Sequence, residues 1–270
     1  MKRFLTLLPC AFLLLGCAQE PVLTREALPS SSAVSSESIS SSVEPTAMDV
    51  SSFASAYSSK MASYRSLKRV SSGKTLSKVL FIDSEQSIDV LAVKNGEYSY
   101  LNNESHGVVN TSHTAYFRGE NALVKDNSAT SYTAMAMGDY LAKYGVDPFN
   151  DVFEGFSVRE ETVKAFSVEA VGDGTYKAKL ELNPDNAANN VKIQMKQFGG
   201  LDEYPTFKTI GITFHFGADL APIDTVLHSE YTAKLFVASE CTQDYTVTFS
   251  ELDGDPEIPN LESIKSEYQF

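Results

Sequence analysis

Apolar positions follow two rhythms along the chain. Across residues 49–66, Val50, Phe53, Tyr57, Met61 and Tyr64 recur every three or four residues, which places them on one face of a helix. An amphipathic helix therefore opens the folded region. Beyond it the period falls to two. Residues 86–94 and 97–101 flank Asn95-Gly96, a pair that accepts the positive φ angles of a type I′ turn, and so predict a hairpin. Gly172-Asp173-Gly174 predicts a second hairpin, between residues 165–171 and 175–182. In its latter strand Tyr176, Ala178, Leu180 and Leu182 share one face, while Lys177, Lys179 and Glu181 meet water. Residues 223–237 alternate in the same way, with Ile223, Leu227, Tyr231, Leu235 and Val237 opposite Asp224, His228, Glu230 and Lys234. Residues 210–216 and 245–249 complete a late run of antiparallel strands.

Two further helices interrupt the strands. Residues 130–144 carry Ala134, Met137, Leu141 and Tyr144 at helical spacing and stop before Gly145. Asn183-Pro184-Asp185 opens the other, since Asn caps free amide groups and Pro is tolerated in a first turn. Val191, Met195 and Phe198 form its apolar stripe, and Gly199-Gly200 ends it.

The N-terminus has its own pattern. Residues 4–15 are an apolar run between Met1-Lys2-Arg3 and Gly16-Cys17, which is the layout of an export signal. A bilayer span needs about 20 apolar residues at 1.5 Å each, and this run ends at Gly16, just ahead of Gln19 and Glu20. The segment targets the chain and is removed. Leu14-Leu15-Gly16-Cys17 resembles the lipobox of bacterial lipoproteins. That resemblance implies residues 1–16 as a cleaved leader and a diacylglycerol joined by a thioether to Cys17, often with a further acyl chain such as palmitate. One acyl chain binds a membrane marginally and two bind it stably, so the expected location is the extracytoplasmic face of a cell membrane, held by lipid.

From residue 17 to 47 the chain reads as a tether. Nine of the thirteen residues from 30 to 42 are serine, and Pro21, Pro29 and Pro45 punctuate the stretch. Such sequence cannot bury enough surface to offset its ordering entropy, and about 30 flexible residues reach roughly 30 Å. Residues 48–252 then read as one β-rich domain, and 253–270 as an acidic, partly disordered tail. Losing Lys2 and Arg3 with the leader takes the net charge from −13 to −15. An acidic surface repels phosphates, so a nucleic-acid role is excluded. Of the three cysteines, Cys10 leaves with the leader and Cys17 takes the lipid, which leaves Cys241 alone and no internal disulfide.

The order of elements resembles the lipid carriers of the LolA and LprG/LppX type across residues 48–252. The resemblance implies an α+β fold: a strongly curved antiparallel sheet (half-barrel) with an N-terminal helix and two helices covering the concave face. It further implies a space for acyl chains between sheet and helices. Met137, Leu141, Met195, Phe214, Phe216, Leu227 and Tyr231 are the candidate lining residues. Met135, Met137 and Met195 are adaptable enough for a variable apolar ligand, and equally ordinary as core fillers. The competing reading is a surface scaffold with a solid core that binds another protein.

Motifs for chemistry are missing from the sequence. His106, His113, His215 and His228 show no His-Glu-x-x-His spacing, although His215, His228 and Glu230 fall on the polar faces of neighbouring strands. Residues 253–257 begin like a calcium loop, but Ile258 and Ile264 stand where glycine and glutamate are required. Cys241 follows Glu240 and has no basic neighbour to activate it. With no nucleophile elbow or phosphate loop in the chain either, an enzyme is the least supported class. No catalytic residue, metal or cofactor is expected. The anchor is testable on its own: Cys17→Ala should abolish labelling by radioactive palmitate and leave the precursor unprocessed or the protein shed to the medium. Continued labelling of that variant would disprove the lipobox assignment.

Overall fold

Where a tight turn joins successive strands it leaves no length for a crossover, so those neighbours in sequence must pair antiparallel. The computed structural model describes residues 44–79, 82–107, 110–127, 129–144, 149, 152–199, 203–235 and 237–270. The leader, Cys17 and the serine-rich stretch lie outside them. A 3-10 turn at Pro45–Ala47 precedes helix α1 (Val50–Ser63). Six strands follow: β1 (Ser66–Val79), β2 (Ile82–Asn95), β3 (Tyr98–Gly107), β4 (Thr111–Arg118), β5 (Asn121–Asp126) and β6 (Thr133–Ala136). Then come α2 (Met137–Tyr144), β7 (Val163–Gly172), β8 (Thr175–Leu182) and α3 (Asn189–Gly199). Strands β9 (Thr206–Gly217), β10 (Pro222–Leu235) and β11 (Val237–Ser250) precede the last helix, α4 (Leu261–Tyr268).

All eleven strands form one antiparallel sheet in the order β6-β5-β4-β3-β2-β1-β11-β10-β9-β8-β7. The fold is thus two meanders joined where β1 pairs with β11, from Lys68↔Ser250 to Lys78↔Glu240. β6 and β7 are free edges, so the curved sheet stays open.

Helix α1 starts where expected because the Asp49 carboxylate accepts a hydrogen bond from the Ser52 amide at 2.7 Å. Its stripe lays Phe53, Tyr57 and Met61 on the inner face of β8 to β10. There Phe53 and Tyr57 meet Phe214 with ring centroids 5.7 and 5.1 Å apart, and Phe216 lies 5.6 Å from Phe53. A second apolar cluster covers the same face at β2 to β5, where Tyr140 and Tyr144 of α2 pack on Ala92, Leu101, Ala115, Phe117, Ala122 and Val124.

Several expectations shift in detail. The first hairpin turns one residue later than Asn95-Gly96: Asn95 pairs with Tyr98, and the loop is Gly96-Glu97. Only its first position, Gly96 at φ 62°, is left-handed, which fits a type II′ turn instead of type I′. The second hairpin turns at Asp173-Gly174, both left-handed as a type I′ turn requires. Residues 223–237 are not one strand, because β10 ends at Leu235, which pairs with Val237, the first residue of β11. The helix expected over residues 130–144 begins only at Met137, since residues 133–136 pair with β5 as the edge strand β6. Asn183 starts a run of turns and not a helix: its carbonyl accepts from the Ala187 amide at 2.9 Å, and α3 begins at Asn189.

The largest departure is at the C-terminus. The segment read as a partly disordered tail carries α4, and Ile258 and Ile264 are buried against Val93, Tyr100, Tyr116 and Leu123 on the outer face of the sheet. The Tyr116 hydroxyl donates to the Pro259 carbonyl at 2.9 Å. An acidic composition masked Leu261, Ile264 and Tyr268 at helical spacing, with Ile258 before them and Phe270 after. Truncating a buried isoleucine to alanine costs about 2–5 kcal/mol. Ile264→Ala should accordingly lower the urea midpoint of the whole domain, and an unchanged midpoint would show that α4 does not pack.

Candidate functional site

Because side chains alternate along a strand, the pairing register sorts every strand residue to one face. One inner row runs through Val168, Ala178, Phe214, Thr225, Val247, Ser71, Val90, Asn103, His113 and Asp126, from β7 across to β5. It is mainly apolar at the β7 end and, Val90 apart, polar from β1 onward. Strand β1 has its pattern inverted: Ser71, Thr75 and Ser77 are buried on the inner face, while Val70 and Leu76 on the outer face are 42% and 51% exposed. Gln86, Asn103, Ser105, Ser229 and Ser239 continue this buried polar band on the neighbouring strands. Buried polar groups at this density are expensive unless paired, so their placement between the two apolar clusters marks the part of the fold least explained by stability.

At one end of the band, next to Ser71 on β1, lies an ion pair. Arg69 Nη2 donates to both carboxylate oxygens of Glu154, at 2.7 and 2.6 Å, with side chains only 14% and 13% exposed. Glu154 is held at φ 55° in the left-handed region, followed by Gly155 at φ 83°, so a tight turn presents its carboxylate to β1. Around the pair stand the buried hydroxyls of Tyr57, Ser71 and Thr225 and the partly buried phenol of Tyr245. Burial raises the pKa of the Tyr57 phenol far above its usual value, and it pushes Tyr245 up to about 12. Neither ionises near neutrality. Gly73 is required here, since a Cβ would lie 2.4 Å from the Tyr245 ring and 2.8 Å from the Asp244 carbonyl.

A second polar cluster ties α2 to the sheet. His113, 4% exposed, faces the Asp126 carboxylate through Nδ1 at 2.7 Å and the Tyr140 hydroxyl through Nε2 at 3.1 Å. Tyr144 donates to the other Asp126 oxygen at 2.7 Å, and Lys143 reaches it at 3.3 Å. Burial alone would raise the pKa of Asp126, but the hydrogen bonds from His113 and Tyr144 outweigh it and hold the carboxyl at about 2. The phenols that bond His113 and Asp126, Tyr140 and Tyr144, both come from one helix, so the cluster acts as a fastening.

The residues expected to line a cavity do not all meet. Met195, Phe214, Phe216, Leu227 and Tyr231 are buried in the cluster under α1. Met137 packs instead on the separate cluster under α2, and Leu141 points outward at 36% exposure because Tyr140 and Tyr144 occupy the buried side of that helix. His215 and His228 pair with different carboxylates, Asp224 at 2.9 Å and Asp244 at 2.7 Å, and do not gather with Glu230. Cys241 is buried in the polar band, with Sγ 3.6 Å from the hydroxyls of Ser77 and Ser239. Arg69, Ser71 and Glu154 escaped the sequence reading, which named His113 only among four histidines without metal-ligand spacing. The signal that would have found the first two is the polar period-two run Arg69, Ser71, Gly73, Thr75, Ser77.

No protein-family model matches the sequence, and no curated protein matches it. Among solved structures, the lipoprotein LppX of Mycobacterium tuberculosis is 11% identical, with 75% of this chain and 94% of that chain covered at a TM-score of 0.34. A LolA superfamily protein from Nitrosomonas europaea is 9% identical, covering 83% and 100% at 0.27. A DUF1329 family protein from Desulfovibrio piger is 10% identical, covering 84% and 99% at 0.26. Likeness at this level assigns neither a family nor a function.

The Asp126 fastening has a pH signature. A carboxyl whose folded pKa of about 2 lies below its ordinary 3.8 stabilises fully above about pH 4, and that contribution is lost as pH falls through about 2. Asp126→Ala should cost about 1–3 kcal/mol at neutral pH by stranding His113 and the Tyr144 hydroxyl. In urea titrations the gap between variant and wild type should close as pH falls from 4 to 2. A gap independent of pH would refute the role of the carboxylate.

Proposed function

We propose that this protein is a non-enzymatic, membrane-anchored carrier or receptor for a lipid-like ligand held between the inner face of the sheet and its covering helices. The observation that carries the reading is the floor of β1 and its neighbours. Between the aromatic packing under α1 and the cluster under α2, the inner face is built from Ser71, Thr75, Ser77, Val79, Ile88 and Val90. Small side chains between bulky walls favour a trough, and a floor of mixed hydroxyl and aliphatic groups suits an amphiphile better than pure hydrocarbon. The filled aromatic packing of Phe53, Tyr57, Phe214 and Phe216 confines the ligand to this trough. Anchoring through Cys17 places the domain beside a supply of such ligands, and the acidic chain disfavours nucleic acid as a partner.

Two measurements test this. Full-length protein purified from a bacterial host should release co-purifying lipid to mass spectrometry, and the stripped protein should take up a fluorescent fatty-acyl probe. Overpacking a filled core destabilises by about 1–3 kcal/mol, whereas filling a trough does not. Thr75→Leu with Ser77→Leu should keep the urea midpoint within the equivalent of about 1 kcal/mol and weaken probe uptake at least tenfold. Wild-type protein that neither carries lipid nor binds the probe would overturn the proposal in favour of a solid scaffold that binds another protein.

A further inference from the structure

The two ends of the sheet differ in the residues that turn the chain around. At one end the links are Gly96-Glu97 (β2 to β3), Gly119-Glu120 (β4 to β5), Asp173-Gly174 (β7 to β8) and residues 218–221 (β9 to β10), whose Leu220 is buried. Glycine and charged residues are the ordinary choice where a turn meets water. At the other end most links are apolar. The sequence has Leu80-Phe81 between β1 and β2, Val108-Val109-Asn110 between β3 and β4, and Phe236 between β10 and β11. All but Asn110 lie outside the described residues, yet the described strand ends beside them are also apolar and exposed. Ile82, the first residue of β2, is 50% exposed, and Val237, the first of β11, is 38% exposed. Leu76, near the end of β1, is exposed on the outer face. Since Lys78 pairs with both Asp83 and Glu240, the β1–β2 and β10–β11 hairpins end side by side. The link from β8 to β9 starts and finishes at this end too, and adds Ile193 and Tyr204, the latter 58% exposed. An ion pair of 2.6 Å between Glu203 and Lys234 holds the Tyr204 segment to β10. Only residues 127–132, at the margin of the sheet, make a mainly polar link here.

Runs of apolar residues at exposed turns are not explained by packing of the fold, and mark contact with something apolar outside it. Residues 79–82 (Val-Leu-Phe-Ile) and 235–238 (Leu-Phe-Val-Ala) are two such runs on adjacent hairpins. Charge does not supply the attraction, because three lysines near this end face carboxylates: Lys74 with Glu85, Lys208 with Glu240 and Lys234 with Glu203. Apolar side chains at hairpin ends can enter the acyl boundary of a bilayer while the strand backbone stays paired within the sheet. The anchor proposed at Cys17 keeps such a bilayer within reach of the tether. We propose that the end of the sheet marked by Leu76, Ile82, Tyr204 and Val237 is an insertion surface that docks the domain on a lipid bilayer.

This surface stands apart from the lipid-binding reading, since it concerns where the domain sits and not what it holds. Cys241 is buried and Cys17 is expected to carry lipid, so Ile82→Cys or Val171→Cys can each be labelled alone with an environment-sensitive fluorophore in the full-length protein. Val171 is the control, an equally exposed apolar residue at the opposite end. In phosphatidylcholine vesicles containing acyl-chain spin-labelled lipid, the label on Ile82→Cys should be quenched several-fold more than that on Val171→Cys. Leu76→Asp with Val237→Asp, two exposed positions, should abolish the difference without moving the urea midpoint. Raising salt to about 1 M, where charges are screened beyond about 3 Å, should preserve it. Equal quenching at the two positions, or a difference lost in salt, would overturn the insertion surface. So would an Ile82→Cys label that is shielded without vesicles and stays unquenched with them, which would assign this end to a protein partner. Protein that inserts but takes up no acyl probe would keep this surface and lose only the lipid-binding reading.

Discussion

The pairing of β1 with β11 is the contact on which the rest of the structure depends. Every other ladder joins strands that are neighbours in sequence, through short connections except between β8 and β9, where α3 intervenes. Only this ladder joins residues 68–78 to residues 240–250 and makes one sheet of two meanders. It also assembles the site. Arg69 and Ser71 come from the first strand, Tyr245 from the last, Thr225 from its neighbour, and Tyr57 from the helix laid over them. Closing so long a loop carries an entropic cost that grows only slowly with length, and eleven successive residue pairs are available to offset it.

Local rules made much of the fold legible. The Asp49 cap, the stripe of α1 and the glycine turns each follow from chemistry within a few residues, and the structure keeps them or moves them by one. Where the reading failed, tertiary pairing had overridden local pattern. Residues 133–136 carry helical spacing but have a strand edge to join at β5. Acidic residues 253–270 hide a short apolar stripe that finds Tyr100 and Tyr116. The site was illegible for a different reason. Glu154 meets Arg69 across 85 residues, and no motif records a contact made by a turn folding over a sheet.

Burying polar side chains inside a sheet works against stability, and this fold does so along a band from Ser229 to His113. At the β4 and β5 end the groups satisfy one another: histidine, aspartate and two tyrosines close their own network. Nearer α1 the Arg69–Glu154 pair forms a separate cluster, so the same sheet carries two polar clusters fixed by different elements, one by α2 and one by the turn at Glu154.

The late arrival of β11 bears on the order of events during biosynthesis. A ribosome delivers the chain N-terminus first at about 5–20 residues per second. β1 is complete at residue 79, yet its second partner begins only at residue 237. For that interval the first meander has an open edge carrying Arg69 and Ser71, and α4 has not arrived to cover Tyr100 and Tyr116. The single sheet is therefore completed only once residues 237–250 have emerged, which makes the last strand the piece that joins its two halves.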